Sequence, residues 1–102
     1  MNEYTIQQTE TFARWLLNLN DVKARSRIVA RIRRAGLGNL GDVKSVGGRV
    51  SEMRVDVGQG YRVYFTRQSG SVVLLLCGGT KRQQQRDIER ATKMASDLEV
   101  LE

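Results

Sequence analysis

With 102 residues, a formal net charge of +6 and 40% hydrophobic residues, the chain reads as one domain, 1–102, able to bury a core of its own. It has no histidine and one cysteine, Cys77, which rules out an internal disulfide and leaves no set of donors for zinc, so neither metal nor cofactor is expected. No apolar run approaches the roughly 20 residues of a membrane span, and the polar start NEYTIQQTE does not resemble a signal peptide, so the expected location is the cytoplasm, away from membranes.

Glu3–Gln8 reads as a first strand with Tyr4 and Ile6 inward. Thr9 is placed to cap a helix in which Phe12, Trp15, Leu16 and Leu19 recur at helical spacing. Trp15 could serve as a ligand platform, but at that spacing it reads as core. Asn20 and Asp21 break the pattern and cap a second helix, whose apolar stripe is read as Val22, Ile28, Val29, Ile32 and Ala35. The same helix carries Lys23, Arg25, Arg27, Arg31, Arg33 and Arg34, either a solvated face or an electrostatic footprint for nucleic acid or an acidic partner. Gly36 and Gly38 are expected to end it. Leu37–Gly48 reads as a loop with a brief strand at Val43–Val46.

From Val50 to Lys81 come three strand-like runs. In Val50–Val57, Met53, Val55 and Val57 alternate with Glu52, Arg54 and Asp56; in Tyr61–Arg67, Val63 and Phe65 alternate with Arg62, Tyr64 and Thr66. A hairpin through Gly58-Gln59-Gly60 then sets Glu52, Arg54, Arg62 and Tyr64 on one sheet face, expected to be exposed. A turn at Gln68–Ser71 leads to Val72–Cys77, apolar throughout and therefore central in the sheet, with Cys77 as inert core. Gly78-Gly79 precedes Thr80-Lys81-Arg82-Gln83, which fits a capping box. The final helix has a thin stripe of Ile88, Ala91, Ala95 and Leu98, expected to dock loosely, with Arg82, Arg86, Arg90 and Lys93 on its other side. The order predicts an α+β fold: an N-terminal strand, a helical hairpin, an antiparallel sheet of three to four further strands and a C-terminal helix, with the helices mainly on one face.

Arg54 and Arg62 on neighbouring strands, with Lys81 at the end of the next, form a cationic cup of the kind that holds a phosphate. The strand-GGTK-helix sequence lacks the glycine spacing of a Walker loop or a dinucleotide fingerprint, which excludes nucleotide-hydrolase and dehydrogenase readings.

Glu52-Met53-Arg54, Gly60-Tyr61-Arg62-Val63-Tyr64 and Gly78-Gly79-Thr80-Lys81 with Gln84 resemble the toxins of the RelE/ParE superfamily in bacterial type II toxin–antitoxin modules. The nearest likeness is to the HigB-like, phage-related addiction-module killer proteins, and it covers nearly the whole chain. The resemblance implies a cytosolic endoribonuclease that cleaves messenger RNA, commonly on the ribosome, and is neutralised by a cognate protein antitoxin, for which a helix-turn-helix type is expected. The toxin–antitoxin complex would bind operator DNA.

In this reading Arg62 matches the arginine of the family's GYR motif and stabilises the phosphorane. Arg54 shares that charge, and Lys81 contacts phosphate or protonates the leaving oxygen. Arg31, Arg34, Lys44, Arg49, Arg82 and Gln84 are expected to hold RNA around them. This chain has Glu52 where the family's enzymes have a second basic residue, and Gln84, Gln85 and Asp87 where they have a last-helix tyrosine. Arginine stays charged beyond about pH 12, so the acid–base candidates are Glu52, Tyr64, Lys81 and Asp87. A ParE-like inhibitor of DNA gyrase without nuclease activity is the alternative, and a degenerate toxin that only binds antitoxin or operator DNA is a third. The apolar surface beside the last strand and final helix is expected to receive the antitoxin.

Overall fold

A computed structural model describes residues 3–101, with side chains through 98. In chain order it has β1 (Thr5–Gln8), α1 (Glu10–Leu17), α2 (Val22–Gly36), β2 (Val43–Gly47), β3 (Val50–Val55), β4 (Tyr61–Arg67), β5 (Val72–Thr80), a 3-10 turn (Lys81–Gln83) and α3 (Gln84–Leu101). The fold is mixed α+β, with one five-stranded sheet ordered β1-β5-β4-β3-β2. Neighbours from β2 to β5 run antiparallel, while β1 lies parallel to β5. No helix among the described residues is long and apolar enough to cross a membrane.

Thr9 ends β1 and starts α1. Its Oγ1 accepts from Phe12 N at 3.0 Å and donates to Leu76 O at 2.7 Å, so one hydroxyl caps the helix and ties it to β5. Thr9→Ala is expected to lower stability by about 1–2 kcal/mol, read as a fall in the urea midpoint. An unchanged midpoint would show that this hydroxyl does not hold α1 to the sheet.

Asp21 caps α2 through Ala24 N at 3.0 Å. The buried line of α2 runs through Ala24, Ile28 and Ala35, with Ile32 half-buried, whereas Val22 and Val29 remain exposed. The stripe thus lies rotated from the one read in the sequence. Arg31 falls three residues after Ile28 and so shares the inward side. The helix includes Gly36; the reversal comes at Gly38, whose φ of 99° lies in the left-handed region. The β2–β3 turn places both Gly48 (φ 58°) and Arg49 (φ 64°) in that region, as a two-residue hairpin loop requires.

Helices cover both faces of the sheet, not mainly one. Phe12, Ala24, Ile28 and Ala35 pack on Met53, Val55, Tyr61, Val63, Phe65, Val73 and Leu75. On the opposite face Ala91 and Ala95 of α3 pack on Val50, Tyr64, Leu74, Leu76 and Cys77. The register slips between Tyr64, which pairs with Cys77, and Phe65, which pairs with Leu75. Leu76 is therefore an extra residue, and both it and Cys77 lie on the α3 side. Burial pushes the Cys77 thiol up to about 11, in keeping with an inert core position.

The alanine stripe brings α3 close instead of leaving it loose: a Cβ on Gly48 would sit 2.6 Å from Thr92 Cγ2. Thr80 makes no side-chain cap, so the expected capping box is not formed. Lys81 N instead donates to Gly60 O at 3.0 Å, and a 3-10 turn precedes the α-helix.

Candidate phosphate site under the third helix

Strand pairing aligns Arg54 with Arg62 and Arg62 with Gly79 in one row, and Glu52 with Tyr64 and Tyr64 with Cys77 in the next. Alternation turns these side chains to the side taken by α3. The face predicted to be exposed is consequently covered: Glu52 is 1%, Arg62 5% and Tyr64 0% exposed. The cause is the close approach of α3 through Ala91 and Ala95, which closes over the polar row together with its apolar neighbours. Arg54, nearer the sheet edge, stays half-buried.

Each polar group has a distinct environment. The Glu52 carboxylate accepts from Gln84 Nε2 at 2.8 and 3.2 Å. Arg62 Nη1 donates to Tyr61 O at 3.0 Å and lies 3.9 Å from Asp56 Oδ1. Arg54 donates to Asp42 Oδ1 from Nη2 at 2.8 Å and from Nε at 3.3 Å, and this hydrogen bond raises its pKa. Arg62 Nε, the Tyr64 hydroxyl and Asp87 Oδ2 are buried without a hydrogen-bond partner.

Asp87 reaches over Gly79, where a Cβ would stand 1.8 Å from Oδ2, so only glycine admits it. Burial raises the Asp87 pKa against the opposing pull of Arg86 and Arg90. Burial, then Glu52 and Asp87, push the Tyr64 hydroxyl well above its ordinary value, which leaves it a proton donor and not a base at neutral pH.

Residues 14–96, from α1 into α3, match the family described as phage derived protein Gp49-like (DUF891). The chain belongs to that family. It is also 48% identical over 93 residues to an uncharacterized protein of Haemophilus influenzae, covering 91% of this chain and 94% of the relative. The Gp49-like match contains every residue of the covered cluster, from Asp42 and Glu52 to Asp87.

This Gp49-like chain gathers only part of the residues expected at the site. Lys81 is exposed at the end of β5, with its Cβ and Cδ beside Gly60, and Arg82 is exposed next to it. Gln84 enters the cluster through Glu52. Lys44 pairs with Glu52 across β2 and β3 but is exposed, and Arg49 is exposed in the β2–β3 turn, where its carbonyl accepts from Thr66 Oγ1 at 2.7 Å.

Arg31 and Arg34 lie on α2, which packs on the other face of the sheet. Arg31 is a strut: Nη1 donates to Arg54 O at 2.5 Å and Nη2 to Leu40 O at 3.1 Å. Burial, and then Arg34, lower its pKa. Asp42, the partner of Arg54, was not singled out from the sequence, because it lies in the loop before β2 and only folding brings it across.

Asp87 was read as a possible base but not as part of a buried cluster. Its spacing carried the signal: Asp87 follows Gln84 by three and precedes Ala91 by four, on the helix side that docks. A carboxyl whose folded pKa is raised favours folding when protonated, and that stability is lost as pH rises from about 3.9 through the folded value. Asp87→Asn is therefore expected to have a higher urea midpoint than the unaltered chain at pH 7, with the gap closing as pH falls below about 4. A gap that is the same at both pH values would place the effect elsewhere than in this ionisation.

Proposed function

We propose that this Gp49-like chain is the toxin of a type II toxin–antitoxin module of RelE/ParE, HigB-like kind, an endoribonuclease that cleaves messenger RNA on the ribosome. The observation that carries the reading is the aligned row of Arg54, Arg62 and Gly79 at one end of the sheet, with Lys81 just beyond it and Asp87 lodged over Gly79. A phosphate placed against this row meets cations from two strands and a carboxyl with raised proton affinity.

In the reaction the ribose 2′-oxygen attacks the adjoining phosphorus while the bond from phosphorus to the 5′-oxygen breaks, leaving a 2′,3′-cyclic phosphate. Asp87 takes the proton of the 2′-hydroxyl. Arg62 stabilises the negative charge that builds on the phosphorane, in a setting of low dielectric that strengthens each such interaction. Lys81 gives a proton to the departing 5′-oxygen. With Arg62 at 5% exposure, RNA reaches it when the first turn of α3 shifts, which breaks the Gln84–Glu52 hydrogen bonds.

The partner in this reading is a cognate antitoxin. Beside the surface next to β5 and α3, whose inner side Ala91 and Ala95 fill, the helical pair offers a second docking place. There Leu17 is 75% and Val22 63% exposed, next to Lys23, Arg25 and Arg27, a combination suited to an acidic segment with an apolar stripe.

Burial of Arg62 and Tyr64, together with the pairing of Arg54 to Asp42, favours a second reading as a ParE-like gyrase inhibitor without nuclease activity. Brief expression separates the two. Primer extension on cellular messages is expected to show new 5′ ends within minutes, with no induction of the DNA-damage response. Intact messages with that response induced would overturn the nuclease in favour of the inhibitor.

A further inference from the structure

Away from the covered cluster, a cleft of about 680 Å3 opens between the α1–α2 corner, the β3–β4 turn and the end of β5. Its volume lies in the range of ligand sites, about 300–1,000 Å3. The half-buried Trp15 indole forms one wall, lying over Gly78, where a Cβ would stand 2.4 Å from the ring. Tyr61 lies beside it, with ring centroids 6.5 Å apart.

The polar wall is built as a chain. Gln59 Nε2 donates to the Tyr61 hydroxyl at 3.1 Å, which donates to Asp21 Oδ2 at 3.3 Å. That arrangement uses one amide N–H of Gln59 and leaves its Oε1 as an acceptor. Asp21 accepts one hydrogen bond at each oxygen and has lone pairs to spare. Asn18 adds a carboxamide at the rim. Across the cleft stands Arg90 of α3, exposed and without an ion-pair partner among the described residues.

We propose that this cleft is a nucleobase-recognition subsite for single-stranded RNA. The proposal rests on the endoribonuclease reading and adds to it a sequence-reading element. Tyr61 and Gly78 line the cleft from the face that α1 covers, while their chain neighbours Arg62 and Gly79 turn to the α3 face; Arg90 of α3, which also lines the cleft, is the residue shared between the two sides.

Unstacked bases in RNA are held by aromatic side chains and read on their hydrogen-bonding edges; here the half-buried Trp15 offers the ring and Tyr61, 2% exposed, backs it. With Asp21 and Gln59 Oε1 as acceptors, the cleft favours bases that carry an amino group, namely guanine, adenine and cytosine, over uracil. A peptide would find an aromatic wall but also a carboxylate floor facing Arg90, and nothing here matches the period of a strand.

Trp15 is the one tryptophan of the chain, so its emission reports this cleft alone. The test uses uncleavable 2′-O-methyl RNA tetramers, followed by Trp15 fluorescence and, independently, by anisotropy of an end label. The expected result is a saturable change in Trp15 emission, with amino-bearing sequences binding about tenfold more tightly than all-uridine tetramers, the size of one hydrogen bond to a charged group. Gln59→Ala is expected to erase most of the preference, whereas Arg62→Ala weakens all sequences alike.

Anisotropy that reports binding while Trp15 emission stays unchanged and Gln59→Ala has no effect would overturn the subsite and leave the nuclease reading standing. No binding by either readout, with messages also uncut in cells, would overturn both. An equal emission change on adding hexaglutamate would overturn base recognition in favour of a general anion response.

Discussion

Arg62→Ala is expected to reduce messenger RNA cleavage at least about a hundredfold and to abolish growth arrest, while the domain remains folded. Removing one preorganised donor from a charge-stabilising site ordinarily costs about 10²–10³ in rate, and Arg62 is the arginine at the centre of the row, between Arg54 and Gly79. Folding survives because Arg62 belongs to neither apolar cluster. Arg62→Lys should recover only part of the activity, since it restores a charge but not the planar fork. The checks are primer extension for cleavage, with circular dichroism and urea unfolding for the fold. A folded Arg62→Ala chain that stays fully toxic would remove this residue from the mechanism.

Gly78→Ala and Gly79→Ala are expected to be the most damaging of the small substitutions, each lowering stability by about 1–3 kcal/mol through overpacking. Their effects differ by face. At Gly78 the new methyl would stand 2.4 Å from Trp15 ring carbons, so the indole is displaced and its emission shifts to the red. At Gly79 it would stand 1.8 Å from Asp87 Oδ2 and 2.8 Å from Asp87 Cγ, so the start of α3 lifts and Trp15 emission stays unchanged. A Cβ at Gly47 or Gly70 meets nothing within 4 Å, so alanine there costs only the strain of a left-handed φ, about 1 kcal/mol. Urea midpoints with emission spectra separate these cases; an unperturbed midpoint for Gly78→Ala would contradict the packing at the end of β5.

Much of this was legible in the sequence where one rule decides the outcome. Thr9 and Asp21 cap the helices read from them, Tyr61–Arg67 is the strand read from its alternation, and the VVLLLC run lies in mid-sheet because both its sides are covered. Facing was harder. A strict period of two groups Cys77 with Val73 and Leu75, but the slip at Leu76 moves Cys77 to the α3 side, and no residue type announces it.

The polar row shows the same division. Alternation put Glu52, Arg54, Arg62 and Tyr64 on one face, but charge on a strand is easily read as exposure. The decision lay some thirty residues on, in small alanines that let α3 press down on the row. Arg31 illustrates the reverse error: one basic residue among several on α2, it turns inward to three backbone carbonyls because it stands on the buried line of that helix.

The parallel pairing of β1 with β5 bears on the order in which the molecule comes together. Thr5 sits beside Val72, and the Thr9–Leu76 hydrogen bond joins residues 67 apart in sequence. Contacts so distant form late, because the loop between them must close before they yield anything. On a translating ribosome, β3 and β4 can meet as soon as their short turn emerges, so the arginine row is laid down early. The strand that completes the sheet and the helix that covers that row are made after it. A nascent chain therefore carries that arginine row bare until α3 arrives to cover it.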